Sequence, residues 1–296
     1  MPARLRSRSR SLAAVTALLA AVTAGCSGDQ DGHRDSSAGH SRDGGTGIDH
    51  IHGLGVNPGD GKLYVATHRG VLAVDGDGSA KRVSDIADYM GFTVAGPDTF
   101  LGSGHPPEGS DEPANRGLIE STDAGKTWKT LSLAGEVDFH ALEQAGGTVY
   151  GYDSTNGMLR VSEDGENWDE RARLAALDIA VGPAGTDTVL ATTRQGVARS
   201  TDAGETFAGA AGPVLAYLSW AGGDGLYGIG PRGTVHRSTD GGGSWTETGT
   251  VPGGQAQALT AVTPDHVLAA TADGVYESTD GGKTFTRRLE TSAGGH

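Results

Sequence analysis

The sequence predicts an all-β protein: a six-bladed β-propeller with four strands in each blade. Three observations lead there. Gly and Pro make up 61 of the 296 residues, which supplies turns for many short strands and stays below a low-complexity composition. An eight-residue pattern, Ser121-Thr-Asp-Ala-Gly-Lys-Thr-Trp128, recurs as Ser200-Thr-Asp-Ala-Gly-Glu-Thr-Phe207, Ser238-Thr-Asp-Gly-Gly-Gly-Ser-Trp245 and Ser278-Thr-Asp-Gly-Gly-Lys-Thr-Phe285, with a degenerate copy at Val161–Trp168. A glycine opens the strand before each copy, and a weaker unit begins at Gly70. Gly70, Gly117, Gly157, Gly196, Gly233 and Gly274 are spaced 47, 40, 39, 37 and 41 residues apart. A period near 40 built from short strands is that of propeller blades. Ile48 to Glu290 divides into six units of 40.5 residues; seven blades, at about 35 residues each, are the alternative.

The first 25 residues read as an export signal. Arg4, Arg6, Arg8 and Arg10 precede an apolar run from Leu12 to Val22, which is too short for a transmembrane helix of about twenty residues. Cys26 is the only cysteine, so no intramolecular disulfide can form. Within residues 26–47, the stretch after Cys26 contains no apolar side chain larger than alanine and reads as a flexible tether. His33 and His40 in the tether are read as solvated. The propeller is expected over residues 48–296. The net charge of −14 becomes −18 once the four signal arginines are removed, and such a surface repels nucleic acid. The expected state is a monomer.

Each unit parses into four strands, most clearly in the last: Ala256–Val262, Val267–Thr271, Gly274–Ser278 and Thr286–Leu289. In a propeller the first strand lines the central channel, and its start shares a rim with the loop between the second and third strands. Aligning first strands on Leu54, Phe92, Leu142, Ile179, Leu218 and Leu259 puts His52, Met90, His140, Leu177, Ala216 and Gln257 at one equivalent position. His50 precedes His52 by two residues, and alternation points both to one side. His68 and His105 end second strands on the same rim. Five of the ten histidines thus fall in one sector of blades one to three, with Met90 and the carboxylates Asp49, Asp138 and Asp153.

Imidazoles with a thioether suit copper, and imidazoles with carboxylates suit zinc. The expected site is therefore a metal site on His50, His52, His68, His105, His140 and Met90. The plainer alternative is a Gly-rich rim that exposes polar residues. Asp49, Asp138 and Asp153, with Asp88 and Glu136, are the carboxylates available to a hydrolase. The insert from His105 to Arg116 is either a lid over this sector or a surface excursion.

Two resemblances add to this reading. Thr23-Ala-Gly-Cys26 resembles a bacterial lipobox, with Thr23 in place of the usual leucine. It implies lipidation of Cys26 and attachment to the extracytoplasmic face of a bacterial plasma membrane. The octets resemble the Asp-box (BNR) repeat of bacterial sialidases and related propellers. That resemblance implies a structural hairpin between the third and fourth strands, remote from any active site, for Ser121, Asp123, Gly125 and Trp128; Ser200, Asp202, Gly204 and Phe207; Ser238, Asp240, Gly242 and Trp245; and Ser278, Asp280, Gly282 and Phe285. The segments Asp49–Val56, Gly102–Pro106 and Val137–Leu142 look like the lipoprotein branch labelled glycosyl hydrolase or exo-sialidase. The Phe-Arg-Ile-Pro motif of sialidases does not occur in this chain.

The expected function is a binding or accessory module with a His-rich site. A glycoside hydrolase acting on surface glycans and a docking scaffold for membrane-protein assembly are the alternatives.

Overall fold

The computed structural model describes residues 48–183 and 187–291. The export signal, Cys26 and the tether lie outside the described residues. The remainder forms six four-stranded antiparallel sheets, each made of four consecutive strands. Blade 1 is β1 (Ile51–Val56), β2 (Leu63–Thr67), β3 (Gly70–Val74) and β4 (Ala80–Arg82). Blade 2 is β5 (Asp88–Gly96), β6 (Thr99–His105), β7 (Leu118–Ser121) and β8 (Lys129–Ser132). Blade 3 is β9 (Phe139–Ala145), β10 (Thr148–Asp153), β11 (Met158–Ser162) and β12 (Asp169–Arg173). Blade 4 is β13 (Ile179–Val181), β14 (Val189–Thr193), β15 (Gly196–Ser200) and β16 (Ala208–Ala211). Blade 5 is β17 (Tyr217–Trp220), β18 (Leu226–Ile229), β19 (Thr234–Ser238) and β20 (Thr246–Thr250). Blade 6 is β21 (Ala256–Ala261), β22 (Val267–Thr271), β23 (Gly274–Ser278) and β24 (Thr286–Glu290). Six blades, not seven, complete the ring, and the last blade departs from its expected strand ends by a single residue at β21 and at β24.

The core is a set of wedges between neighbouring blades. Tyr64, Ala66 and Val71 of blade 1 pack on Tyr89, Phe92 and Phe100 of blade 2, and blades 2 and 3 meet through Leu101, Leu118, Phe139 and Leu142. The ring closes where Ile51, Leu54 and Val65 meet Leu268, Ala270 and Val275. Two polar ties span that seam: the Ile51 amide donates to Gln257 Oε1 at 3.0 Å, and Thr260 Oγ1 donates to the Leu54 carbonyl at 2.7 Å. Because both sheet faces are covered, β2 and β22 are buried along their whole length, whereas the outer strands β8 and β12 are polar and largely exposed. An inner strand therefore reads as a continuous apolar run rather than as an alternation.

The recurring glycines sit where the fourth strand returns past the start of the third. Gly117 has φ +64°, and a Cβ there would lie 2.3 Å from the Ser132 carbonyl; at Gly233, φ is +89° and the Val251 carbonyl would be 2.5 Å away. Only glycine meets both demands.

The octets form the hairpins between the third and fourth strands. In blade 2, Ser121 Oγ accepts from the Gly125 amide at 2.9 Å, and Asp123 Oδ1 accepts from the amides of Lys126 and Thr127. Asp202 Oδ1 and Asp240 Oδ1 likewise accept from the amides of Thr206 and Ser244. Hydrogen bonds from the Ser and Thr side chains and backbone around them hold both carboxyls down to about 2. The octet glycines pack on the preceding blade, as where Gly204 faces Leu159 and Gly242 faces Leu190. Trp168 stacks on Phe139, 4.9 Å between ring centroids, and its indole nitrogen donates to Ser132 Oγ.

Candidate metal centre on the channel rim

The strand register explains how side chains reach the rim. In β1, Ile51 pairs with Thr67 and Gly53 with Ala66, which leaves His52 as the extra residue of a β-bulge. The same bulge isolates Met90 in β5, His140 in β9 and Gln257 in β21. Four of the six positions aligned in the sequence are thus bulge residues at the mouth of the channel. A bulge bends its strand and re-aims the side chain, so the bulge, and not simple alternation, sets the direction of His52.

His50, His52 and His68 form one cluster. Their ring centroids are 4.8 Å apart for His50 and His52, 4.4 Å for His52 and His68, and 5.5 Å for His50 and His68. His68 arrives from the two-residue turn between β2 and β3, where Thr67 Oγ1 accepts from the Arg69 amide. Asp88, the first residue of β5, faces both rings. His52 Nε2 lies 3.2 Å from His68 Nδ1, His68 Nδ1 lies 3.0 Å from Asp88 Oδ2, and His52 Nε2 lies 3.5 Å from Asp88 Oδ1. Donors bound tetrahedrally at about 2.0–2.1 Å from one ion stand about 3.3–3.4 Å from each other. The two contacts to Asp88 go to different oxygens, and one donor atom from each of the three residues lies within 4.8 Å of the others, a set that one ion can draw together. Burial, followed by the neighbouring imidazoles of His68, His50, His140 and His105, pushes His52 down to about 3. His50 is also lowered, chiefly by burial. Both rings are accordingly neutral near pH 7, the form that binds metal.

A second group adjoins the first. His140 Nε2 lies 2.7 Å from Asp138 Oδ2, and His105 Nε2 lies 3.8 Å from the same oxygen. His105 Nδ1 lies 2.9 Å from the Ala114 carbonyl. A carbonyl only accepts, so the proton is on Nδ1 and Nε2 of the neutral ring keeps its lone pair. The insert that supplies Ala114 is anchored rather than free. Arg116 is buried, its amide donates to the Gly104 carbonyl at 2.8 Å, and its guanidinium lies over the Tyr89 ring.

The remaining candidates fall elsewhere or differ in role. Met90 is half-buried on its bulge, between the blades that carry His52 and His140. Asp49 is exposed and pairs with Arg69 at 3.3 Å. Asp153 is fully buried, and its carboxylate is taken up by Asn156 and Arg160; that pairing ties down a turn and leaves no free oxygen for catalysis. His236 and His266, the other described histidines, belong to blades 5 and 6, and His266 pairs with Glu277.

Two carboxyls that the sequence reading overlooked line the channel. Glu143 of β9 and Asp178, just before β13, border a cavity of about 340 Å³ together with Tyr217, His52 and His140. Burial, with a contribution from the charge of Asp178, pushes Glu143 up to about 8. Burial pushes Asp178 up to about 7, although its Oδ2 accepts from the Leu218 amide at 2.8 Å. The signal in the sequence was a single acidic residue one place beyond the aligned Leu142, where other blades carry Gly55, Thr93, Ala180, Ser219 and Thr260. A carboxyl whose pKa is raised by folding contributes stability below its unfolded pKa and loses it as pH rises through the folded value. Glu143→Gln is therefore expected to raise the melting temperature at pH 9 and leave it nearly unchanged at pH 5. Thermal melts at the two pH values check this; an equal effect at both would contradict it.

No sequence-family profile matches this chain, and no curated protein matches it by sequence. Solved structures do. The xyloglucanase of Xanthomonas campestris, a GH74 enzyme, superposes with a TM-score of 0.52 at 18% identity, covering 81% of this chain and 45% of the enzyme. An ancestral GH74 enzyme gives 0.51 at 14% identity, with 81% and 38% covered. Virginiamycin B lyase from Staphylococcus aureus gives 0.54 at 15% identity, with 77% and 80% covered. The chain spans less than half the length of either GH74 enzyme. At these identities the likeness shows a β-propeller fold and nothing finer.

Proposed function

We propose that this chain is a lipid-anchored, extracytoplasmic propeller of the Asp-box type. In this reading it works as a binding or accessory module that holds a divalent transition ion, zinc or copper(II), on the rim of blades 1 to 3. The observation that carries the reading is the spacing of His52 Nε2, His68 Nδ1 and the Asp88 carboxylate, 3.0–3.5 Å apart with His52 neutral. Two imidazoles and a carboxylate on a half-exposed rim leave a fourth position for water or a ligand, as open zinc sites do. Asp88 both offers an oxygen and orients the imidazoles. The lipobox-like Thr23–Cys26 and the octet turns support the remainder of the reading. The test is metal content: the purified, untagged protein, refilled with zinc and dialysed, should retain it in near-stoichiometric amounts. No retained metal would sink the proposal.

A specific observation also favours a second reading, a glycoside hydrolase. Glu143 and Asp178 share the channel cavity, and their raised pKa values suit a pair in which one carboxyl is protonated while the other is ionised. That reading predicts turnover of aryl glycosides or glycans that is abolished by Glu143→Gln or Asp178→Asn, with metal irrelevant to the rate.

A further inference from the structure

Asp138 is a buried carboxylate with one oxygen accounted for and one not. Oδ2 faces His140 and His105, whereas Oδ1 has no hydrogen-bond partner among the described residues. Its residue is 6% exposed. A buried anionic oxygen without a donor is costly and calls for an explanation such as an absent ion. Two features prepare the neighbouring imidazoles for that ion. The Ala114 carbonyl fixes the His105 proton on Nδ1 and leaves Nε2 facing Asp138. The β9 bulge sets His140 on the same carboxylate.

We infer that the rim holds a second divalent ion, on His105, His140 and Asp138, directly beside the one on His52, His68 and Asp88. The inference rests on the metal-centre reading above. Adjacency follows from the sheet: Asp88 of the first set and His105 of the second are cross-strand partners at the end of β5 and β6, which places their Cα atoms about 4.5–5.5 Å apart. The two sets are complementary in composition, each a carboxylate with two imidazoles. In binding, the ion takes the place of the contact between His140 Nε2 and Asp138 Oδ2, and the neutral His140 ring carries its single proton on Nδ1. His105, on an exposed rim position, closes the 3.8 Å gap to the carboxylate.

The experiment is zinc stoichiometry on the purified, untagged full-length chain, stripped with a chelator, reloaded and dialysed. Near two ions per chain are expected in the parent, near one in His105→Ala/His140→Ala, and near one in His52→Ala/His68→Ala. With all four histidines replaced, near zero is expected, which controls for His33 and His40 of the tether. One ion in the parent, unaffected by His105→Ala/His140→Ala, overturns the second ion and leaves the first reading standing. No ion overturns both, and two ions that persist in the fourfold variant place them elsewhere and overturn the inference. Asp138→Asn, which preserves shape, should also bring the count to near one and guards against a misfolded histidine variant. Copper(II) loading reports adjacency: neighbouring ions broaden the electron paramagnetic resonance signal, and two isolated signals would refute the pairing.

Discussion

The double replacement His52→Ala/His68→Ala is expected to weaken zinc binding at the His52, His68 and Asp88 centre by about 10⁴–10⁶-fold. Zinc at a structural site with four protein ligands contributes about 10–16 kcal/mol, or about 2.5–4 kcal/mol per ligand, so losing two of this centre's three protein ligands costs about 5–8 kcal/mol, enough that the ion no longer survives dialysis. The fold should not change. His68 occupies an exposed two-residue turn and His52 is the unpaired residue of a bulge, so neither side chain belongs to the core wedges. Chelator competition measures the affinity, and a thermal melt checks that the variant is folded. An affinity unchanged from the parent would remove these residues from the site. An affinity lost together with the melting transition would leave the variant uninformative about ligation, and His68→Gln would then replace it.

Gly117→Ala is expected to be strongly disruptive for the ring. Forcing a Cβ into φ +64° costs about 1–3 kcal/mol, and the nearest atoms are backbone, the Ser132 carbonyl at 2.3 Å and the Leu133 carbonyl carbon at 2.4 Å. Backbone cannot rotate away, which adds about 1–3 kcal/mol of overpacking. A loss of about 2–6 kcal/mol lowers the melting temperature of a domain this size by roughly 5–20 °C. Gly61→Ala is the control, because Gly61 has φ +71° but nothing within 4 Å. It should lose only the conformational part, about 1–3 kcal/mol. Equal losses at the two positions would show that close approach to the returning strand is not what requires glycine.

Much of this architecture was legible because the repeating elements are local. Glycine spacing and the Ser-x-Asp-x-Gly octets specify hairpins whose hydrogen bonds close within a few residues, as between Ser121 and Gly125, and that chemistry can be read without knowing the fold. The convergence of His50, His52 and His68 was legible for a related reason: within one blade the start of the first strand and the end of the second share a rim. What the period could not show was the bulge at His52, because bulges follow strand register, which one chain does not display. Asp88 appeared only as one of several rim carboxylates until cross-strand pairing set it opposite His105 and beside His68. Asp153 resembled a rim carboxylate by position, yet Arg160 and Asn156 occupy it. Glu143 and Asp178 were missed because their significance depends on the depth of the channel.

Zinc-edge X-ray absorption of the loaded protein examines the first coordination shell of the centre on which this account rests. Nitrogen and oxygen ligands at about 2.0–2.1 Å are expected, with the multiple-scattering pattern of two imidazoles per zinc, reduced in His68→Ala. A shell of oxygen ligands alone, or an imidazole pattern that survives His52→Ala/His68→Ala and His105→Ala/His140→Ala combined, would contradict it.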